Sequence, residues 1–149
     1  MGGATPAKSV KKYWGGPIKW ASVRDLNCDV IYKTERQITK EGLDSCSSNI
    51  VPAGELIICT RVGLGKIAMT GDDIAINQDL RGIILSEVVN KNYFITYYKT
   101  LNIEGRGVTV KGIDKNFIEK LLVPVPPPSE QKRILLKIKE LWLMLDSLE

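Results

Sequence analysis

Val123-Pro124-Val125-Pro126-Pro127-Pro128-Ser129-Glu130-Gln131-Lys132-Arg133-Ile134 decides how this 149-residue chain is organised. The prolines at 124, 126, 127 and 128 each lack an N–H and hold φ fixed, so neither a helix nor a central strand runs through them. Such a run favours extended polyproline II and serves as a short, stiff spacer. A helix is expected directly after it. Ser129 is a suitable N-cap, and Glu130 sets negative charge against the positive end of the helix dipole. Ile134, Ile138, Leu141, Leu145 and Leu148 then recur at spacings of 4, 3, 4 and 3, the seam by which one helix packs along another. Leu135 and Trp142 widen that seam, and Leu136 and Leu143 add a second apolar row. A helix of about 20 residues spans about 30 Å, which is short for an autonomous coiled coil, so it needs a partner. It can fold back on its own domain or face outward, and the spacer ahead of it favours the second.

Ahead of the spacer the pattern is one of short strands. Ile18–Val23, Asp29–Lys33, Glu55–Arg61, Gly65–Thr70, Gly82–Ser86 and Gly107–Val110 are alternating or continuous apolar runs rich in β-formers. Gly15-Gly16-Pro17, Pro52-Ala53-Gly54 and Gly71-Asp72-Asp73 punctuate them as turns. Val88–Thr100 reads as an amphipathic helix whose aromatic face holds Tyr93, Phe94, Tyr97 and Tyr98. Asp114–Leu121 reads as a short helix capped by Asp114. The expected fold class is α+β: a mostly-β domain over 1–123 with a few helices, a proline spacer over 124–128, and a coiled-coil-type helix over 129–149.

Composition narrows the function. The chain has 44% apolar and 26% charged residues, ordinary for a folded globular protein. No histidine is present, which removes Ser-His-Asp and Cys-His triads, histidine-ligated zinc and imidazole acid–base chemistry. Cys28, Cys46 and Cys59 are odd in number and never in a C-x-x-C pair, which speaks against a disulfide framework or a zinc ribbon. No apolar run reaches the roughly 18 residues of a membrane helix, and Met1–Pro6 lacks the apolar core of a signal peptide. A cytoplasmic address with no membrane partner is therefore expected. The net charge is +4, with 17 basic and 13 acidic residues ahead of Pro126 and 4 of each after it. The surplus lies entirely in the front part and permits nucleic-acid binding without demanding it.

The motifs that would carry catalysis fail in detail. Gly63-Leu64-Gly65-Lys66 hints at a phosphate loop, but Thr60 and Ile67 stand where the pattern needs Gly and Ser or Thr. Those glycines are read as a tight turn flanked by Arg61 and Lys66. Asp72-Asp73 is the only adjacent acidic pair, and in a Gly-Asp-Asp turn it suits solvation better than magnesium. Pro126-Pro127-Pro128-Ser129 has neither the Asn/Asp-Pro-Pro-aromatic loop nor the glycine-rich cofactor loop of an adenine methyltransferase. No catalytic residue, cofactor or metal site is expected. Lys8-Ser9-Val10-Lys11-Lys12-Tyr13-Trp14-Gly15-Gly16 is different, because lysines interleaved with aromatics suit contact with a phosphate backbone as well as they suit a solvated loop.

Several segments together resemble the specificity subunits of type I restriction–modification enzymes. They are Gly3-Ala4-Thr5-Pro6-Ala7-Lys8, Tyr13-Trp14-Gly15-Gly16-Pro17-Ile18-Lys19-Trp20, Arg24-Asp25-Leu26, Ile38-Thr39 with Gly42-Leu43 and Ser45, and Pro52-Ala53-Gly54. Cys59-Thr60-Arg61-Val62-Gly63-Leu64-Gly65-Lys66 and Ala75-Ile76-Asn77-Gln78 continue the pattern, and Val123–Ile134 closes it as the most specific piece. The resemblance runs in order over nearly the whole chain. It implies a non-catalytic reader of double-stranded DNA: one target recognition domain reading half of a bipartite site, and a helix that measures the gap. It also implies DNA methyltransferase (M) subunits and restriction/translocase (R) subunits as partners.

A full subunit of that family carries two recognition domains and two helices, and this chain has one of each. A second recognition half or a self-dimer is therefore expected, the latter favouring a palindromic site. The alternative is a fragment that binds no DNA and acts as a protein-interaction module through its helix. The expected DNA contacts are Lys8, Lys11, Lys12, Lys19, Arg24, Arg36, Arg61, Lys66, Arg106 and Lys111, mainly to phosphate. Base edges are expected to meet Ser45, Ser47, Ser48 and Asn49, with Arg36 and Lys40 beside them. Trp14, Trp20, Asn77 and Gln78 are expected to be scaffold. The helix-partner interface is expected on Ile134, Ile138, Leu141, Leu145 and Leu148.

Overall fold

Leu56-Ile57-Ile58-Cys59 is a continuous apolar run, and such a run suits a strand covered on both faces. In the computed structural model, which describes residues 1–105 and 112–147, all four residues are buried in one strand. The eight strands are β1 (Trp14–Ala21), β2 (Val30–Ile31), β3 (Arg36–Ile38), β4 (Ile50–Val51), β5 (Leu56–Cys59), β6 (Ile67–Thr70), β7 (Ile74–Ile76) and β8 (Leu80–Ile83). The helices are α1 (Lys40–Asp44), α2 (Lys91–Thr100), α3 (Lys115–Glu119) and α4 (Pro128–Asp146). The expected strand over 107–110 lies outside the described residues.

The strands form two four-stranded sheets, ordered β3-β1-β7-β4 and β2-β6-β5-β8. β1 and β7 run parallel, with Ala21 beside Ile76, and β3 and β4 run antiparallel at the two edges. In the second sheet β5 lies antiparallel to both β6 and β8, and β2 runs parallel to β6. Side-chain alternation along each strand then separates three apolar layers. Ala21, Val51, Ile57, Cys59, Ala68, Ile74 and Ile76 fill the space between the sheets. Leu56, Ile58 and Ile67 face the other way, onto Phe94, Ile95 and Tyr98 of α2. Trp20, Ile38 and Ala75 cover the outer face of the first sheet with Trp14, Ile18 and Leu43.

Local chemistry explains where the elements differ from expectation. Gly15-Gly16-Pro17 is a bulge inside β1 and not a turn before it: Trp14 and Ile18 both sit opposite Ile38. A Cβ on Gly16 would lie 2.5 Å from the Thr39 Cα, so only glycine lets β1 pass α1 this closely. β3, β4 and β7 are two or three residues long, too short to show an alternating pattern. α2 starts at Asn90, whose side chain accepts from the Tyr93 N–H at 3.2 Å, and α3 at Asp114, which accepts from the Phe117 N–H at 2.8 Å. α4 begins earlier than expected. Pro128 occupies its first turn, where a missing N–H costs nothing, and Ser129 lies inside the helix and caps nothing.

The chain from Leu122 to Pro126 is laid along α2. The Tyr97 hydroxyl donates to the Leu122 carbonyl at 2.6 Å, and the Tyr93 hydroxyl to the Pro124 carbonyl at 3.1 Å. Gln131 is wholly buried at the foot of α4. Ile134, Leu135 and Ile138 are half-buried, and every residue from Lys139 to Ser147 is exposed. The foot of α4 thus leans on α2 and the rest projects past the body. Among the described residues no helix is long and apolar enough to cross a membrane.

Burial between the sheets pushes the Cys59 thiol up to about 11 from its ordinary 9.0. Cys28 is exposed and Cys46 is partly so. At pH 8 an alkylating reagent is expected to modify Cys28 first and Cys46 more slowly, and Cys59 only after denaturation. Mass spectrometry of the labelled chain checks this order. With the native thiol held protonated and the unfolded one ionising, the Cys59 contribution to stability falls as pH rises from about 9 to about 11.

Candidate nucleic-acid interface

One end of the body collects basic side chains from four separate connections. β1 and β7 are parallel neighbours, so Ser22 after β1 and Asn77 after β7 emerge together. Cys59 at the end of β5 pairs with Leu80 at the start of β8, which brings Thr60 and Arg61 to the same end. Arg36 at the start of β3 lies opposite Trp20 at the end of β1.

Asp25 organises the first of these connections. Ser22 caps a single 3-10 turn, Val23–Asp25, and Asp25 Oδ2 accepts from the Ser22 N–H at 2.8 Å and the Ser22 hydroxyl at 3.1 Å. Asp25 Oδ1 accepts from the Glu35 N–H at 2.7 Å. This one buried carboxylate therefore fixes both the turn that carries Arg24 and the chain that delivers Arg36.

The two tryptophans set the opposite wall. Their rings meet edge to face with centroids 5.3 Å apart. Trp20 Nε1 donates to the Ala4 carbonyl at 3.1 Å and Trp14 Nε1 to the Ala7 carbonyl at 3.3 Å, while the Ala4 N–H donates to the Ile76 carbonyl at 3.0 Å. The segment Ala4–Lys8 is thereby laid over the sheet end. It places Lys8 with Arg36 and Gln37 in one depression, and with Arg24, Thr5 and Gln78 in the adjoining one. The Arg36 guanidinium stands 5.5 Å from the Trp14 ring centroid, a cation–π contact that holds its planar fork in place.

Arg61 and Lys66 flank a tight turn, as the glycines imply. Gly63 and Gly65 take φ of +76° and +87°, and the Lys66 N–H donates to the Gly63 carbonyl at 3.1 Å. A Cβ on Gly63 would lie 3.0 Å from Val23, so this turn abuts the one bearing Arg24. Buried Asn77 accepts from the Asp79 N–H through Oδ1 at 3.1 Å, and aims Asp79 at Arg61, 3.7 Å away. Glu35 pairs with Arg24 at 3.3 Å. Five cations thus share this end with the paired carboxylates of Glu35 and Asp79 and the buried one of Asp25, and among the described residues Lys8, Arg36 and Lys66 have no ion-pair partner.

The remaining expected contacts lie elsewhere. Lys11 and Lys12 sit in a 3-10 turn beside α1, where Lys12 pairs with Glu41 at 3.2 Å and Lys40 with Asp44 at 2.8 Å. Lys19 pairs with Asp72, and this hydrogen bond holds the Asp72 carboxyl below its usual range. Arg106 and Lys111 lie outside the described residues. The Ser45 hydroxyl donates to the Gly42 carbonyl at 2.8 Å, the Ser48 hydroxyl to the Ile76 carbonyl at 2.8 Å, and Asn49 Nδ2 to the Gly2 carbonyl at 2.7 Å. These groups fasten the connection between α1 and β4 to its neighbours, and Ser47 alone of that stretch is exposed with no such bond among the described residues. Sequence reading did not single out Thr5 or Gln37 at this end; Gln78, expected to be scaffold, accepts a hydrogen bond from the Thr5 hydroxyl through Oε1. The available signal was the Gln37 amide next to Arg36 in sequence, since both side-chain types suit paired contacts to base edges. Among the described residues no group of three or more cysteines and acids is placed to hold a metal ion.

On α4, Ile134 and Ile138 of the expected partner seam are half-buried against the body. Leu141 and Leu145 are exposed, together with Trp142, Leu143 and Met144. Leu148 lies outside the described residues.

Residues 1–146 match the family described as type I restriction modification DNA specificity domain. The chain is 32% identical over 142 residues to the type I restriction enzyme MjaIX specificity subunit of Methanocaldococcus jannaschii, covering 89% of this chain and 33% of that protein. It is 29% identical over 147 residues to the EcoR124I/EcoR124II specificity subunit of Escherichia coli, covering 89% and 36%. The chain spans about a third of the length of these curated relatives. In fold it is similar to the HsdS subunit from Thermoanaerobacter tengcongensis, with a TM-score of 0.72 at 15% identity over 99% of this chain and 35% of that one. A chain from a structure of the assembly and conformational transition of the type I R-M system gives a TM-score of 0.73 at 16% identity, over 99% and 36%.

Removing the Asp25 carboxylate leaves two backbone N–H groups without their acceptors. Asp25→Ala is expected to lower stability by about 2 kcal/mol, measured by urea unfolding. It should also loosen Arg24 and Arg36 together, seen as line broadening of both side chains by NMR.

Proposed function

The chain belongs to the type I restriction–modification DNA specificity family, and from that premise we propose that it reads one half of a bipartite double-stranded DNA site with the end of the body carrying Lys8, Arg24, Arg36, Arg61 and Lys66. The observation that carries this reading is the convergence of Lys8, Arg24 and Arg36, from segments far apart in sequence, on two adjoining depressions with Arg36 held over Trp14, and with Arg61 and Lys66 on the neighbouring turn. Lys8, Arg24, Arg61 and Lys66 face phosphates, where a flexible or paired cation suffices. Arg36 and Gln37, adjacent on an edge strand, face base edges, since both make paired contacts there. No bond of the DNA is broken by this chain, which acts as a recognition part.

The exposed second half of α4 is the docking arm. Its Leu141, Trp142 and Leu145 continue the seam begun by Ile134 and Ile138 beyond the edge of the body. A matching helix, from a second recognition half or a second copy of this chain, covers that seam. DNA methyltransferase and restriction/translocase subunits assemble on the pair. Helix length then sets the gap between half-sites, because about 30 Å of helix matches roughly one turn of duplex.

Selection from random duplexes tests the reading: a recurring half-site supports it, and recovery of unrelated sequences overturns it. Lys8→Ala and Lys66→Ala are each expected to lower the slope of log affinity against log salt by roughly 0.9. Arg36→Ala is expected to cost about 1–3 kcal/mol and relax selection at one position of the half-site. Leu141→Asp with Leu145→Asp should leave the unfolding midpoint of the body unchanged and abolish assembly through α4, measured by sedimentation.

A further inference from the structure

The joint between body and arm is built from hydrogen bonds to an extended, proline-rich chain. Gln131, the one fully buried residue of α4, uses its amide three times. Its Oε1 accepts from the Asn90 N–H at 2.7 Å, and its Nε2 donates to the Val88 carbonyl at 2.9 Å and to the Pro126 carbonyl at 2.8 Å. Asn90 is also the N-cap of α2. One side chain of α4 therefore ties the first residues of both helices to the same point.

The neighbouring bonds fall into register with it. Tyr97, Tyr93 and Gln131 hold the carbonyls of Leu122, Pro124 and Pro126 in turn. Tyr93 and Tyr97 are one helical turn apart, about 6 Å along α2. Two residues of polyproline II advance by about 6.2 Å, so every second carbonyl meets the next turn of the helix. A chain with N–H groups of its own could slide or pair elsewhere, but prolines at 124, 126, 127 and 128 leave few donors to form a competing arrangement.

We propose that Gln131, with Tyr93 and Tyr97, is a positioning set that fixes the angle at which α4 leaves the body and so determines which gap between half-sites the chain accepts. The proposal rests on the reading of the chain as a half-site reader with a measuring helix. Each base pair turns the next half-site by about 35° around the duplex, as a repeat of 10–10.5 base pairs requires. An arm free to swing at its root cannot discriminate one gap from the next. Lys91 ties the start of α2 to the Gly54 carbonyl and Glu55 ahead of β5, at the opposite end of β5 from Thr60 and Arg61. Gln131 and Asn90 therefore lie away from the basic end, while Tyr97 and Leu122 border a cavity that Arg61 also lines. Gln131 can thus alter gap choice without altering half-site choice.

The first test is a distance measurement on the intact chain. Spin labels are placed on Cys28 and on Lys139→Cys, with Cys46→Ser to silence the other accessible thiol and Cys59 left buried between the sheets, and the labelled chain is diluted into excess unlabelled chain. Gln131→Met, which keeps size and helix preference and removes the amide, is expected to broaden the distance distribution and shift its mean. Tyr93→Phe with Tyr97→Phe is expected to do the same to a smaller extent with the rings still packed. If Gln131→Met does not fold, the double phenylalanine variant decides by the same criterion. A folded variant whose distribution matches the parent overturns the proposal.

The second test uses duplexes carrying the selected half-site at varied gaps. The parent chain is expected to prefer one gap, and Gln131→Met to lose that preference while retaining the half-site. Retained gap choice in a folded Gln131→Met chain overturns the proposal. If the parent binds no duplex, the reading of the chain as a half-site reader fails, and the distance measurement still decides whether Gln131 positions the arm.

Discussion

Complete burial of β5 on both faces is the constraint from which the rest of the structure follows. A strand of Leu56-Ile57-Ile58-Cys59 has no face for water, so one cover must be a second sheet and the other a helix. The first sheet supplies Ile74 and Ile76 on one side, and α2 supplies Phe94 and Tyr98 on the other. Strand alternation then extends the stack outward to Trp20 and Ile38, and the tryptophans on that outer layer carry the segment bearing Lys8. Packing and site are thus one system: the side chains that close the outer layer also shape the basic end.

The basic end is held by buried polar groups that anchor its connections. Asp25 fixes the two connections that carry Arg24 and Arg36, and Asn77 fixes Asp79 against Arg61. Cations mounted on such buried anchors lose less conformational freedom on binding than cations on loose loops. The ion pairs of Arg24 and Arg61 with Glu35 and Asp79 add orientation. On the proposed function they also set a condition, since each pair is partly exchanged for phosphate when DNA arrives.

Much of this was legible in the chain itself. The aromatic face of Val88–Thr100, the Asp114 cap, the glycine turn at Gly63-Gly65 and the apolar seam of α4 all follow from local pattern, and local pattern is what a sequence displays. The bulge at Gly15-Gly16 was hidden, because a glycine pair reads the same in a turn and in a strand bent around α1. The cap at Ser129 gave way to Pro128, which needs no cap. The list of basic residues was readable, but their convergence was not, because it depends on β1 and β7 lying parallel across more than fifty residues. Ser45, Ser48 and Asn49 looked like free polar groups only because their backbone partners are distant in sequence or hidden by the local turn. Gln131 was visible as part of a motif. Its role was not, since Val88 and Asn90 lie more than forty residues away.

The root of the arm and the basic end are fastened by different residues: Gln131, Asn90 and two tyrosines for one, Asp25, Asn77 and two tryptophans for the other. Substitution can therefore accumulate in the loops of one without unsettling the other. On the proposed function, a lineage built on this plan can change the contacts of its β-rich body and keep the same arm geometry.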